Sequence, residues 1–157
     1  MILDKYLEFD DTRAALTASA ISTNVIDLGA TNLLKDMGSG YQVWFVVQVD
    51  TTGTGAGTVT ISLVSGGDAA LQTTPVTHYL SPAIVSTNLT AGLEIIRAPL
   101  SSAGFLAAVP IAANVAAYKR YLGVQYTIAS TVAVVQLSAF LLLNPQMNTS
   151  YASGFTV

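Results

Sequence analysis

The sequence has no cysteine and a single histidine, His78. Disulfide scaffolds, cysteine-based zinc sites and thiol catalysis are therefore excluded, and so are most histidine-rich metal sites. Charge is scarce too: 10% of residues are charged, against about 25% in an ordinary soluble domain. Six basic residues face nine acidic ones, for a net charge of −3, so the chain lacks the basic face that nucleic-acid binding needs. No apolar run approaches the ~20 residues of a membrane-spanning helix. The best candidate, Val132 to Leu143, has 12 residues and contains Gln136 and Ser138, and the alanine-rich stretch 103–117 is broken by Pro110 and Asn114. The first residues carry four carboxylates and no apolar core of a signal peptide. The expectation is a soluble, unexported protein with neither membrane nor nucleic acid as partner.

What is present is apolar: 52% of 157 residues are hydrophobic. That rules out intrinsic disorder and suits one domain burying ~70% of its unfolded surface. Nine of the fifteen charged residues fall within the first 36 positions, and the remainder (Asp50, Asp68, Glu94, Arg97, Lys119 and Arg120) sum to zero. A body so poor in charge has an exterior of Ser, Thr, Ala, Gly and apolar side chains. Such a surface risks self-association in isolation. Coverage by other protein resolves this most simply; a Ser/Thr-coated monomer is the alternative.

Period-two patterning dominates the chain. From Tyr41 to Asp50, Tyr41, Val43, Phe45, Val47 and Val49 form one face, with Trp44 on the more polar one. Val59, Ile61 and Leu63 alternate with Thr58, Thr60 and Ser62. The glycine-rich link 51–57 between these strands reads as a mobile hairpin tip, and Gly66-Gly67-Asp68 as a turn. Further strands are expected over 22–29, 76–81, 93–98 and 105–111, with a short turn over 32–37. Leu122, Val124, Tyr126 and Ile128 alternate, and 132–143 favours a strand over a buried helix because it begins valine-rich. Prolines at 75, 82, 99 and 110 block long helices. The expectation is an all-β, jelly-roll-like antiparallel β-sandwich of about eight strands, with residues 1–20 an N-terminal arm, 21–145 the body and 146–157 a polar tail.

Catalytic patterns are thin. His78 lies in a strand-like V-T-H-Y-L, and no G-x-S-x-G elbow accompanies it; a locally bonded histidine is the default. Asp10 and Asp11 are adjacent, so their carboxylates point apart in an extended chain. Gly53 to Gly57 lacks the G-K-[ST] ending of a phosphate loop, and no calcium-loop spacing occurs. No enzyme activity and no cofactor or metal is expected. Exposed Trp, Tyr and Arg are what protein interfaces enrich, which singles out Trp44 and the Tyr118, Tyr121 and Tyr126 group beside Lys119-Arg120, with core packing the default for any one of them.

The opening M-I-L-D-K-Y-L-E-F-D-D, then S-T-N-V-I-D-L-G-A, T-V-T-I-S-L-V-S-G-G-D, and R-Y-L-G-V-Q-Y-T-I before an apolar strand ending in N-P-Q resemble tailed-phage head cement proteins, closest to those of Bordetella-phage-like podovirus heads. The similarity follows segment order over most of the chain; 103–117 and the C-terminal tail match least. The resemblance implies a jelly-roll decoration protein on the outer surface of an icosahedral capsid, made in the host cytoplasm. It would bridge major capsid protein subunits and associate with itself as a dimer or trimer. The candidate docking or oligomer-interface residues are Asp4, Glu8, Asp10 and Asp11, directed toward capsid Lys and Arg, with Leu7 and Phe9 as anchors and Trp44 and Tyr121 on the body. The competing function is a carbohydrate-binding β-sandwich module of the adhesin sort, which a clustered Trp44/Tyr surface would favour. A cupin-like enzyme is a poor third with one histidine.

Overall fold

A computed structural model describes residues 5–13, 15–29, 43–100, 118–130 and 134–142. The expected turn at 32–37, the strand at 105–111, the C-terminal tail and the candidate Asp4 lie outside them. The described chain is all β apart from single 3-10 turns at Lys5–Leu7 and Ser86–Asn88. The strands are β1 (Glu8–Asp10), β2 (Ala20–Ile21), β3 (Ile26–Asp27), β4 (Trp44–Thr54), β5 (Thr58–Gly66), β6 (Val76–Leu80), β7 (Ile84–Val85), β8 (Glu94–Pro99), β9 (Tyr121–Ala129) and β10 (Val134–Leu142).

They form two antiparallel sheets. Sheet A has the order β1-β10-β4-β8. Sheet B runs β2-β9-β5-β6, with β3 also on β9 and β7 also on β5. Taking β2 with β3, and β6 with β7, as two broken strands leaves four positions per sheet. The pairs β1 with β10, β2/β3 with β9, β4 with β8 and β5 with β6/β7 then nest inside one another along the chain. That nesting is the jelly roll, as expected from the strand patterning and the resemblance.

Alternation set the buried faces. Val43, Phe45, Val47 and Val49 point into the core, as do Val59, Ile61 and Leu63, Leu122, Val124 and Tyr126, and Val135, Leu137, Ala139 and Leu141. The 132–143 stretch is thus a strand where the structure describes it. Phe9 meets Phe45 edge-on at 6.3 Å, and Phe45 meets Tyr79 at 5.8 Å, each contact worth ~0.5–1.5 kcal/mol beyond burial.

The two broken strands are repaired the same way. Between β2 and β3, the Ser22 amide donates to the Val124 carbonyl at 2.7 Å, and the Val124 amide donates to Ser22 Oγ at 3.0 Å. Between β6 and β7, before Pro82, the Ser81 amide donates to the Ile61 carbonyl at 2.9 Å, and the Ile61 amide donates to Ser81 Oγ at 2.9 Å. In each case a serine hydroxyl stands in for the carbonyl that an unbroken ladder would supply, so the central strand keeps no orphaned N–H.

Two expectations are corrected. The link 51–57 is not a hairpin tip: β4 pairs with β10 and β8, β5 with β9, β6 and β7, so the chain crosses from one sheet to the other here. Glycine makes the corner. A Cβ on Gly53 would stand 2.3 Å from the Ser86 carbonyl oxygen, and Gly55 has φ +96°. The Gly53 amide donates to Leu89 O at 2.7 Å and the Ser86 amide to Gly57 O at 2.9 Å, which fastens the corner. Secondly, the described part of 1–20 does not behave as an arm. β1 is the edge strand of sheet A, and the Arg13 and Leu16 amides donate to Leu137 O and Val135 O of β10. Of the charges in this segment, Asp10 and Arg13 pair internally. The strand expected over 22–29 is likewise shorter, reduced to β3.

Candidate docking surface

The edge of the sandwich where β1 faces β3 holds a cleft of about 830 Å³, lined by Glu8, Asp10, Asp11, Asn24 and Asp27 among others. Four of the sequence-selected residues therefore meet there: Glu8, Phe9, Asp10 and Asp11. They do not share a role. Phe9 is fully buried in the core and Asp10 is 2% exposed, so neither reaches a docking partner while β1 stays in place. Asp10 Oδ1 accepts Arg13 Nη1 at 3.1 Å and the Thr23 amide at 2.8 Å, and its Oδ2 accepts the Tyr126 hydroxyl at 2.7 Å. Burial, with the Asp10 carboxylate beside it, pushes the Tyr126 phenol well above its usual pKa. Leu7 packs against the core from a half-buried position. Glu8 is half-buried and Asp11 is exposed, so these two carboxylates are the ones the cleft presents.

Asp27 also lines the cleft, but Arg120 grips both its carboxylate oxygens at 3.0 and 2.9 Å. The Arg120 guanidinium lies 5.0 Å over the Tyr121 ring, and Tyr121 pairs with Asp27 across the β3–β9 ladder. Tyr121 thus neighbours Asp27 of the cleft lining without lining the cleft itself. Trp44 begins β4 in sheet A, opposite Leu142 and Pro99. The two aromatics sit on different sheets and do not build the clustered platform that the saccharide reading requires.

The opposite edge differs in character. It is formed by β6 and β7 on sheet B and β8 on sheet A, the end strands of the two sheets. No charged residue occurs between Asp68 and Glu94. Exposed along this stretch are Leu80 (64%), Val85 (40%) and Leu93 (47%), with Pro82 and Ala83 also open to solvent. The nearest charges, Glu94 and Arg97, neutralise each other through a two-pronged contact at 2.5 and 2.6 Å. The charge-poor body is legible in the sequence; this margin is not. The signal was the uncharged run 69–93, visible only once β6 and β7 are known to end a sheet.

The Bbp16 family model matches residues 9–141. The chain belongs to the Bbp16 family. Its name points to a Bordetella phage protein, in keeping with the phage side of the resemblance. The match starts at Phe9 in β1 and ends at Leu141 in β10, so it spans the sandwich from first strand to last. No curated protein matches this Bbp16-family chain. Among its described residues, no helix is long and apolar enough to cross a membrane, and no group of three or more His, Asp or Glu side chains is placed to hold a metal ion.

Proposed function

We propose that this Bbp16-family protein is a structural component of the phage virion that docks on the outer surface of the capsid and bridges major capsid protein subunits. Family membership supplies the phage setting. The observation that carries the docking is the margin of β6, β7 and β8, where residues 69–93 carry no charge and Leu80, Val85 and Leu93 are held out in water. Exposed apolar side chains gathered on one edge mark an interaction surface, and the open edge strands offer backbone groups for a partner's strand. A second copy of the protein suits the same margin, since an uncharged patch opposes itself without repulsion. Glu8 and Asp11 at the other edge add a site for capsid Lys or Arg.

The work done is thermodynamic. A ligand that binds the assembled shell and not its separated subunits stabilises the shell by mass action, ~2.7 kcal/mol per site at a hundredfold excess over Kd. The test is to add purified protein to heads that lack it. Saturable binding in fixed ratio to the major capsid protein, with a raised temperature of head disruption, is expected. Heads that neither bind it at micromolar concentration nor gain heat resistance would overturn the assignment.

A further inference from the structure

His78 lies on β6 at the margin of sheet B, where the β5 ladder shifts register between the pairs Leu63–Tyr79 and Val64–Thr77. One face of the imidazole stacks on Tyr118, with ring centroids 3.9 Å apart and planes 24° from parallel. Its Nε2 sits 2.7 Å from Ser65 Oγ on β5. That hydroxyl already accepts the Lys119 amide at 3.0 Å. A hydroxyl that accepts one N–H still has its own proton to give, and giving it to Nε2 leaves no buried hydroxyl proton unpaired. With Ser65 donating, the ring is neutral and carries its proton on Nδ1. Ser65 is fully buried, so water cannot take over its bond, and no substrate carbonyl can reach its oxygen as it would a nucleophile's. One ring thus joins β5, β6 and the residues entering β9.

Burial, and not a charged neighbour, is what disfavours a positive charge on this ring. From the segment entering β9 come the Tyr118 phenol, raised in pKa by burial, and the Lys119 ammonium, which donates to Thr74 Oγ1 at 2.5 Å. From the β5–β6 loop comes Asp68, whose carboxylate is occupied by the Gln72 amide at 2.9 Å and Thr73 Oγ1 at 2.6 Å. β5 contributes only the uncharged Ser65. Among the described residues no carboxylate bonds to the imidazole. Burial lowers the His78 pKa from 6.5 to about 4.

We propose that His78 is an acid-operated clasp: neutral, it ties edge strand β6 to the residues entering β9; protonated, it lets go of both and opens the margin of sheet B. Protonation places an Nε2–H against a hydroxyl that already receives the Lys119 N–H, leaving the buried Ser65 proton without an acceptor. The sign follows from linkage. The clasped state binds the proton more weakly than the open one, so the clasp is at full strength above pH 6.5. It weakens as pH falls toward about 4.

Amide hydrogen exchange of residues 76–80 and 118–120, corrected for the intrinsic effect of pH, reads the opening directly. Between pH 7 and pH 4.5 exchange there should rise on the order of tenfold or more, while β4 and β10 stay protected. His78→Phe keeps an aromatic ring against Tyr118 and cannot titrate, so the acid response should vanish in it. If that variant does not fold, the wild type still decides. His78 is the sole histidine, so its ring-proton NMR signal is unambiguous and its midpoint should fall well below 6.5, in step with the exchange. A midpoint near 6.5, exchange that does not follow the titration, or an acid response that persists in His78→Phe overturns the clasp.

Discussion

Asp10 and Tyr126 join the two sheets: a carboxylate on the edge strand of sheet A accepts the phenol of a central strand of sheet B at 2.7 Å, both out of contact with water. Arg13 completes the arrangement, bonding Asp10 and the Ile21 carbonyl while its guanidinium lies 5.3 Å over the Tyr126 ring. Tyr126→Phe removes one partner and leaves Asp10 Oδ2 without a donor, at a cost of ~1–3 kcal/mol. Asp10→Ala also strands the largely buried Arg13 charge and the Thr23 amide, so it should cost more, ~3–5 kcal/mol. Urea unfolding midpoints of the two variants check both values. A Tyr126→Phe protein as stable as wild type would show that the sheets do not depend on this contact.

Removing residues 2–13 should therefore damage the body and not merely its attachment. It deletes β1, opens the edge of β10, and exposes the Phe45 and Tyr126 surroundings. A thermal melt of the truncated chain should show a clearly lowered midpoint. The double variant Glu8→Gln with Asp11→Asn leaves the buried network intact and should melt as wild type does. Weaker binding of that double variant to heads would then report docking through the cleft, free of any loss of fold.

The serine repairs predict a matched pair of effects. Ser22→Ala leaves the buried Val124 amide unpaired and Ser81→Ala does the same to Ile61. Each should cost ~1–3 kcal/mol. The two amides lie on the paired strands β9 and β5, two register positions apart and with no shared partner, so the double variant should cost the sum of the two to within the coupling of close neighbours. Denaturant curves for the two single variants and the double would reveal any coupling. A cost confined to a few tenths of a kcal/mol would mean that water replaces the hydroxyl.

How far the sequence speaks can be judged from these same residues. Alternation identified the inward faces of the strands at 43–50, 58–65, 122–128 and, within 132–143, over the described residues 135–142, because period two follows directly from the pleat. It could not say that β4 and β5 belong to different sheets, since an alternating strand looks the same in either. The corner at Gly53 depends on the Ser86 carbonyl, 33 positions along the chain. Asp10 read as a solvated arm residue because its partner Tyr126 is 116 positions away. The need for a hydroxyl at Ser22 arises from a break opposite Val124, again a long-range fact. Local pattern gives faces; sheet membership and polar partners are settled by tertiary contact.

Gly53→Ala tests the corner. Its Cβ would meet the Ser86 carbonyl oxygen at 2.3 Å, a backbone atom that cannot swing aside. The strand must shift and the Gly53–Leu89 hydrogen bond stretch with it, at ~1–3 kcal/mol. A lowered melting temperature with unchanged far-ultraviolet dichroism is expected. An unchanged melt would mean that the 3-10 turn at Ser86–Asn88 yields easily and does not anchor the crossing.

Charge placed on the margin separates folding from docking. Leu80 is 64% exposed and Leu93 47%, so Leu80→Glu and Leu93→Glu remove little core contact, and surface changes of this kind stay within about ±0.5 kcal/mol. If the margin is the face that meets capsid or a second copy, burying either carboxylate there costs several kcal/mol without a partner cation. Occupancy on heads at fixed protein concentration should then fall by at least ~10-fold, since each 1.4 kcal/mol is worth a factor of ten in affinity. Sedimentation of the free protein gives the second measurement: a shift to a smaller species in both variants identifies the margin as the contact between copies, and lost head binding at unchanged sedimentation identifies it as the capsid contact. Two variants that bind heads and sediment as wild type does would remove the margin from both roles.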